Sequence, residues 1–225
     1  MTIYLPKDEL QNYNGWFLPT FCNHFHSTIG DNDMKNNYQA RCDKEVFSRT
    51  PNKRTAIDVG GNVGLMARRY ANVFNHVHSF EPETENYSCL RYNTEDLDNV
   101  TTYKQGLGEI QKEVEIVLPL SINSCGSWSI TDFKNNEEEK RSETINITTL
   151  DSYNFRDVDF IKMDIQGYEL QVLEGAVDTI REYKPTLLIE TVSAGNDKST
   201  QIGRFVAQFG YKQVKKINKD RIYTV

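Results

Sequence analysis

From about residue 54 onward, short apolar runs alternate with stretches whose apolar residues recur every three or four positions. Arg54-Thr-Ala-Ile-Asp-Val-Gly60 reads as a buried strand running into glycines, and Leu65 to about Phe74 as a helix. Val77 to Phe80 is a second strand, closed by Glu81-Pro82. Thr84 to about Asn93 sets Tyr87, Leu90 and Arg91 at helical spacing, and Val100 to Gln105 is a third strand. Residues 113–118 and 144–149 alternate as two further strands would. Asp159 to Asp164 is an apolar run ending in a carboxylate. Glu169 to about Arg181 predicts one amphipathic helix, with Leu170, Leu173, Val177 and Ile180 as its stripe. Pro185 to Glu190 is a strand, and residues 199–209 a helix with Ile202, Phe205, Val206 and Phe209 on one face. Tyr211 to Ile217 and Arg221 to Val225, joined by Asn218-Lys-Asp, predict a hairpin. Such alternation predicts a parallel sheet covered by helices on both faces.

The first 50 residues break this pattern. They are polar and irregular, with scattered Tyr13, Trp16, Phe17, Phe21 and Phe25. They predict a loop-and-helix appendage over 1–50, with a short helix from Asp43 to Ser48, attached to one domain over 51–225. The aromatic rings could stack on a ligand or cover an open face of the sheet.

Composition narrows the function classes. A length of 225 residues suits one layered core. The net charge of −6 argues against general nucleic-acid binding, which wants a basic face. Lys212, Lys215, Lys216, Lys219 and Arg221 form one local basic run, which a solvated edge hairpin explains. The start of the chain lacks a basic segment followed by an apolar run, and no apolar stretch is long enough for a bilayer, so a cytoplasmic protein away from membranes is expected. Cys22, Cys42, Cys89 and Cys125 are irregularly spaced and read as reduced thiols. Cys22-x-His24-x-His26 and His76-x-His78 suggest no third and fourth ligand, so no zinc site is expected. The charge run from Asn135 to Arg141 reads as a solvated face.

The strongest chemical signal is Asp58-Val-Gly60-Gly61-Asn62-Val-Gly64, between a strand and a helix. Glycines there let the backbone turn tightly and approach a ligand. The dinucleotide pattern G-x-G-x-x-G fails, because Asn62 and Leu65 stand where it needs glycines. An aspartate at Asp58 would repel a pyrophosphate and welcome a cationic amino group. Glu81 follows at the end of the next strand, at an offset that lets an acidic side chain accept from both hydroxyls of a ribose. Pro82 then turns the chain out of the strand. Gln105-Gly106-Leu107, after the third strand, would lie near a base.

Taken in order, Ala56-Ile-Asp-Val-Gly-Gly-Asn-Val-Gly64, Ser79-Phe-Glu-Pro82, Thr149-Leu-Asp-Ser152, Ile161-Lys-Met-Asp-Ile-Gln-Gly-Tyr-Glu-Leu170 and Val172-Leu-Glu-Gly-Ala176 resemble FkbM-family methyltransferases over about residues 38–192. The resemblance implies a Rossmann-like class I methyltransferase fold, with a mostly parallel seven-stranded sheet and a C-terminal antiparallel hairpin. It implies S-adenosylmethionine as methyl donor, held by Asp58, Gly60, Gly61, Asn62, Gly64, Glu81, Pro82 and Gly106. It also implies transfer to a hydroxyl of a sugar, glycan or similar small acceptor.

Asp164 and Glu190 both end strands, where ligands of such sheets bind. They are the expected catalytic residues: either could orient the acceptor or take its proton. The alternatives are a divalent ion shared between them, for which Mg²⁺ would suit, or a capping role for Asp164 on the following helix. Lys162 would point to the same side as Asp164 and could pair with it, or be a structural lysine with a buried stem. Glu169 reads as a helix N-terminal charge, and Ser124 to Ser129 as a hairpin turn or a loop over the cofactor. A non-catalytic binding protein and an RNA 2′-O-methyltransferase are the competing functions. Asp164 and Glu190 count against the first. The acidic surface and the missing second lysine count against the second.

Overall fold

The structure is a computed structural model that describes residues 4–20, 25–26, 40–119, 140–191 and 196–225. In chain order the elements are β1 (Gln11–Tyr13), β2 (Trp16–Leu18), α1 (Ala40–Arg49), β3 (Thr55–Val59), α2 (Leu65–Ala71), β4 (His76–Phe80), α3 (Thr84–Asn93), β5 (Val100–Tyr103), β6 (Gly106–Leu107), β7 (Lys112–Pro119), β8 (Lys140–Thr148), β9 (Val158–Met163), α4 (Glu169–Glu174), α5 (Val177–Tyr183), β10 (Thr186–Glu190), α6 (Asn196–Ala207), β11 (Lys212–Ile217) and β12 (Asp220–Thr224). Seven strands form the central sheet in the order β11-β12-β10-β9-β3-β4-β5. β10, β9, β3, β4 and β5 run parallel, and β12 enters antiparallel between β10 and β11. This is the expected α/β fold: a mostly parallel sheet closed by an antiparallel hairpin.

Period two sorts the strands into two cores. Ile57, Val59, Ile161, Met163, Leu187 and Ile189 face α4, α5 and α6. Ala56, Phe160, Leu188 and Ile222 face α1 and α2, where they meet Cys42, Val46, Met66 and Tyr70. Helix α1 therefore belongs to the main core. The expected 169–181 helix is two helices, α4 and α5, broken at Gly175-Ala176. A Cβ on Gly175 would collide with the carbonyl of Gly108, so the chain leaves the helical path where it passes that loop.

The first residues do not form loop and helix alone. β1 and β2 make an antiparallel hairpin around Asn14-Gly15, both at positive φ, as a two-residue primed turn requires. The hairpin packs on α3. Its rings are engaged by protein groups: Phe17 with Tyr92, Tyr13 stacked on His26, and Trp16 under the Arg68 guanidinium. A second sheet, β6-β8-β7, stands beside the first and presents Ile145 and Ile147. Cys42 and Cys89 are buried free thiols. His76 bonds Thr101 and His78 bonds Tyr103. Cys22, Phe21, His24, Cys125, the Ser124 to Ser129 loop and most of the Asn135 to Arg141 run lie outside the described residues. Among the described residues, no helix is long and apolar enough to cross a membrane.

Candidate active site

The glycine loop joins β3 to α2 across the carboxyl edge of the sheet. Gly60 takes φ +82°, and a Cβ there would collide with the carbonyl of Asp164. Both demands select glycine. The amides of Gly60 and Gly61 donate to the Phe80 carbonyl at 3.0 and 2.9 Å, which ties the loop to the end of β4. Gly64 caps α2 at φ +91°.

Asp58 does not reach the cleft, as a direct partner of a ligand amino group would. It is fully buried beneath the loop. Its Oδ2 accepts from the Ser79 hydroxyl at 2.8 Å, and its Oδ1 stands 3.2 Å from the Lys162 ammonium. Lys162 in turn donates to the Gly60 carbonyl at 2.8 Å. Of the two readings of Lys162, a partner of Asp164 or a buried structural lysine, its burial matches the second, and the register of β3 with β9 sets Asp58 directly beside it. Asp58 and Lys162 thus act on the loop from below.

Glu81, also buried, accepts from the amide of Asn62 at 2.9 Å and from that of Glu83 at 3.1 Å. Burial pushes its carboxyl up to about 8; Glu83 adds to the rise, while the two amides and Lys162 oppose it. Glu81 stands between Phe80 and Pro82, both of which line a largely apolar cleft. The other walls are Val59, Gly60, Gln105, Gly106, Leu107, Ile145, Ile147, Ile165 and Tyr168. Gln105, Gly106 and Pro82, three of the residues the sequence singled out, thus line this cleft. Ile145, Ile147 and Tyr168 were missed. The alternating pattern of 144–149 was the one available hint that an apolar face was presented there. Tyr168 is held by a hydrogen bond from its hydroxyl to Glu109 at 2.9 Å.

On the other face of the edge, toward α1, Asp164 and Glu190 come together. Neither is fully buried. The Asp164 amide donates to the Val59 carbonyl at 3.1 Å, which fixes the residue beside the loop. Its carboxylate accepts from the Gln166 amide at 3.2 Å. It does not cap α4, whose N-cap is Tyr168 without a side-chain bond. Glu169 is buried and accepts from the Gly167 amide at 2.8 Å. Burial, then a hydrogen bond and repulsion from Asp164, then repulsion from Asp220, push Glu190 up to about 8. Lys219 lies 3.9 Å from it. Among the described residues, no three His, Cys, Asp or Glu side chains are arranged to hold a metal ion.

These groups give stability a definite pH dependence. Glu81 and Glu190 hold protons in the folded state that the unfolded chain has released, so their contribution is present below about pH 4.5 and lost as pH rises toward about 8. His78, lowered to about 4 by burial and then by His76, opposes this trend below about pH 6.5. Between about pH 6.5 and 8 only the carboxyl effect operates among these three. The melting temperature should fall over that window, and Glu81→Gln should flatten the decline. A melting temperature that rises with pH there would contradict the burial of both groups.

The family profile described as the Methyltransferase FkbM domain matches residues 58–212. No curated protein matches the chain. Among solved structures, methyltransferase FkbM from Methylobacillus flagellatus KT is similar with a TM-score of 0.54 at 21% identity; the match covers 77% of this chain and 44% of that one. The chain thus spans less than half the length of that relative. A putative methyltransferase from Streptococcus mutans in complex with SAH has a TM-score of 0.51 at 11% identity, covering 84% and 99% of the two chains. Fibrillarin from Aeropyrum pernix with natively bound S-adenosyl-L-methionine has a TM-score of 0.50 at 10% identity, covering 78% and 68%. At such identities these three structures support the fold. The family profile goes further, because it spans the glycine loop, Glu81, Asp164 and Glu190, and on that ground the chain belongs to the FkbM methyltransferase family.

Proposed function

We propose that the protein transfers a methyl group from S-adenosylmethionine to a hydroxyl of a sugar, glycan or similar small acceptor. The observation that carries the reading is the pairing of Asp164 with Glu190 beside the glycine loop. An alcohol has a very high pKa, so its transfer needs a group to take the proton. An amine would need only to arrive neutral.

The residues present fit the donor. The apolar walls of the cleft suit a flat base, with Gln105 as a polar contact. A protonated carboxyl, the form that burial favours at Glu81, offers one O–H donor and about three lone-pair sites. The amides of Asn62 and Glu83 occupy two of these sites, which leaves the O–H and one site for ribose hydroxyls. When bound, S-adenosylmethionine supplies a methyl on a sulfonium, already activated for in-line displacement. The chain holds the acceptor oxygen in line and accepts its proton at Asp164. An oxygen–methyl bond forms as the sulfur–methyl bond breaks, and S-adenosylhomocysteine leaves.

A screen of hydroxylated acceptors with isotopically labelled methyl donor, read by mass spectrometry, tests the acceptor class. Label on an amine acceptor, with none on any hydroxyl, would refute it. The donor is tested separately by calorimetry. Both adenosyl ligands should bind and NAD should not. Glu81→Ala should weaken binding by about tenfold, because it removes two ribose hydrogen bonds worth roughly 0.5–1.5 kcal/mol each. Unchanged affinity in that variant would remove Glu81 from the donor site.

A further inference from the structure

We infer that Asp220 is a positioning residue of the acceptor site, holding Glu190 as a hydrogen-bond donor to Asp164. The inference rests on the reading of Asp164 and Glu190 given above and adds a third residue, which lies beyond the 58–212 family match.

The argument starts from register. In the antiparallel ladder of β10 and β12, Glu190 is paired directly with Asp220, and side chains of such a pair share one face of the sheet. In the parallel ladder of β10 and β9, Leu188 pairs with Lys162 and Ile189 with Met163. Continued by one residue, this sets Glu190 next to Asp164. Ala56, Phe160, Leu188 and Ile222 define the face toward α1 and α2. Two residues on, the same period places Asp58, Lys162 and Glu190 on that face, with Asp164 at its end and Asp220 two residues before Ile222. Three carboxyl groups therefore meet at one corner, none fully exposed.

Three carboxylates in close range cannot all remain charged. The corner sorts them by their partners. Asp220 accepts the Cys42 thiol hydrogen at 3.2 Å, from α1. Lys162, buried in β9, and Lys219, beside it in the turn, both favour its charged form. Burial opposes these and outweighs them, and Asp164 adds repulsion. Glu190 faces Asp164 from β9 and Asp220 from β12, with Lys219 as its cation. It therefore keeps its proton into the neutral range and offers it to Asp164. A carboxyl that donates to Asp164 fixes the rotamer of the proposed base.

Three residues outside the reacting pair, Asp220, Lys219 and Cys42, thus set its geometry. The shielding has a direction. Removing the Asp220 charge lets Glu190 ionise earlier, which adds a second negative charge against Asp164 and breaks the donor bond.

Carbon-13 NMR of protein labelled at the glutamate carboxyl tests this without turnover, with Glu190 assigned through Glu190→Gln. The midpoint of Glu190 should fall by about one pH unit in Asp220→Asn, and Asp220→Glu should restore it. The basic limb of the kcat profile should move down by the same amount. Affinity for S-adenosylhomocysteine should be unchanged. Asp220→Ser serves as the second charge-removing variant should the asparagine variant not fold. A folded variant lacking the charge, with the Glu190 midpoint and the kcat limb both unmoved, would overturn the inference. A midpoint that moves in a protein that methylates no hydroxyl would support the corner and refute the acceptor assignment instead.

Discussion

Asp164→Asn should lower turnover by roughly 10²–10⁴-fold, the range of a positioned general base, and leave donor affinity nearly unchanged. The residue sits where β9 meets the glycine loop, its amide bonded to Val59, so the backbone that shapes the donor site persists in the variant. The asparagine keeps the shape of the side chain and an acceptor oxygen, so the hydrogen bond from Glu190 survives. Only the capacity to take a proton is lost. A chelator should not change the parent rate, because the proton is assigned to a side chain. Loss of activity on chelation, restored by added Mg²⁺, would transfer the role to a metal ion held at this edge. A variant turning over at the parent rate would place the base elsewhere.

The parts of this site that lie along one segment were legible in the sequence. Gly60 to Gly64, Glu81 and Pro82 depend on local geometry: a strand that must end, a turn that must tolerate positive φ, a carboxylate at the next strand end. Apolar periodicity likewise gave the central strands and the hairpin of β11 and β12. What was hidden depends on which strands become neighbours. Period two correctly put Lys162 and Asp164 on one face, yet only the register of β3 with β9 shows that Lys162 faces Asp58. Asp220 and Cys42 are 178 positions apart, and no local pattern links them. The hairpin at Asn14-Gly15 is a different case. Asn-Gly is a strong hairpin signal, but strands of three residues are too short for a visible alternation, and the irregular composition around them concealed it. The break at Gly175 was also concealed, since the apolar stripe of α4 continues into α5 and the obstructing carbonyl of Gly108 comes from a distant loop.

The largest stability effect should come from Lys162→Met. Lys162 is 4% exposed and Asp58 0%, so the pair sits in a poorly solvated layer between the sheet and α2. Methionine matches the length of the lysine stem and fills the same space without charge. Asp58 would then keep the Ser79 hydroxyl and lose its counter-ion. Removing one partner of a buried pair costs about 3–5 kcal/mol, because the other charge is left uncompensated. Urea denaturation should register a loss of that size, a large share of the 5–15 kcal/mol typical of a folded domain. Asp58→Asn added to Lys162→Met removes the stranded charge and keeps the length of the side chain, so most of the stability should return. Donor binding should behave differently. The Gly60 carbonyl loses its Lys162 donor in both variants, so the loop stays loosened and affinity for S-adenosylhomocysteine stays low in the double variant. Recovery of stability without recovery of affinity would separate the two tasks of Lys162, neutralising Asp58 and holding the loop. A loss below about 1 kcal/mol in the single variant would show that the pair is solvated, and full recovery of affinity in the double variant would show that the loop does not need the Lys162 bond.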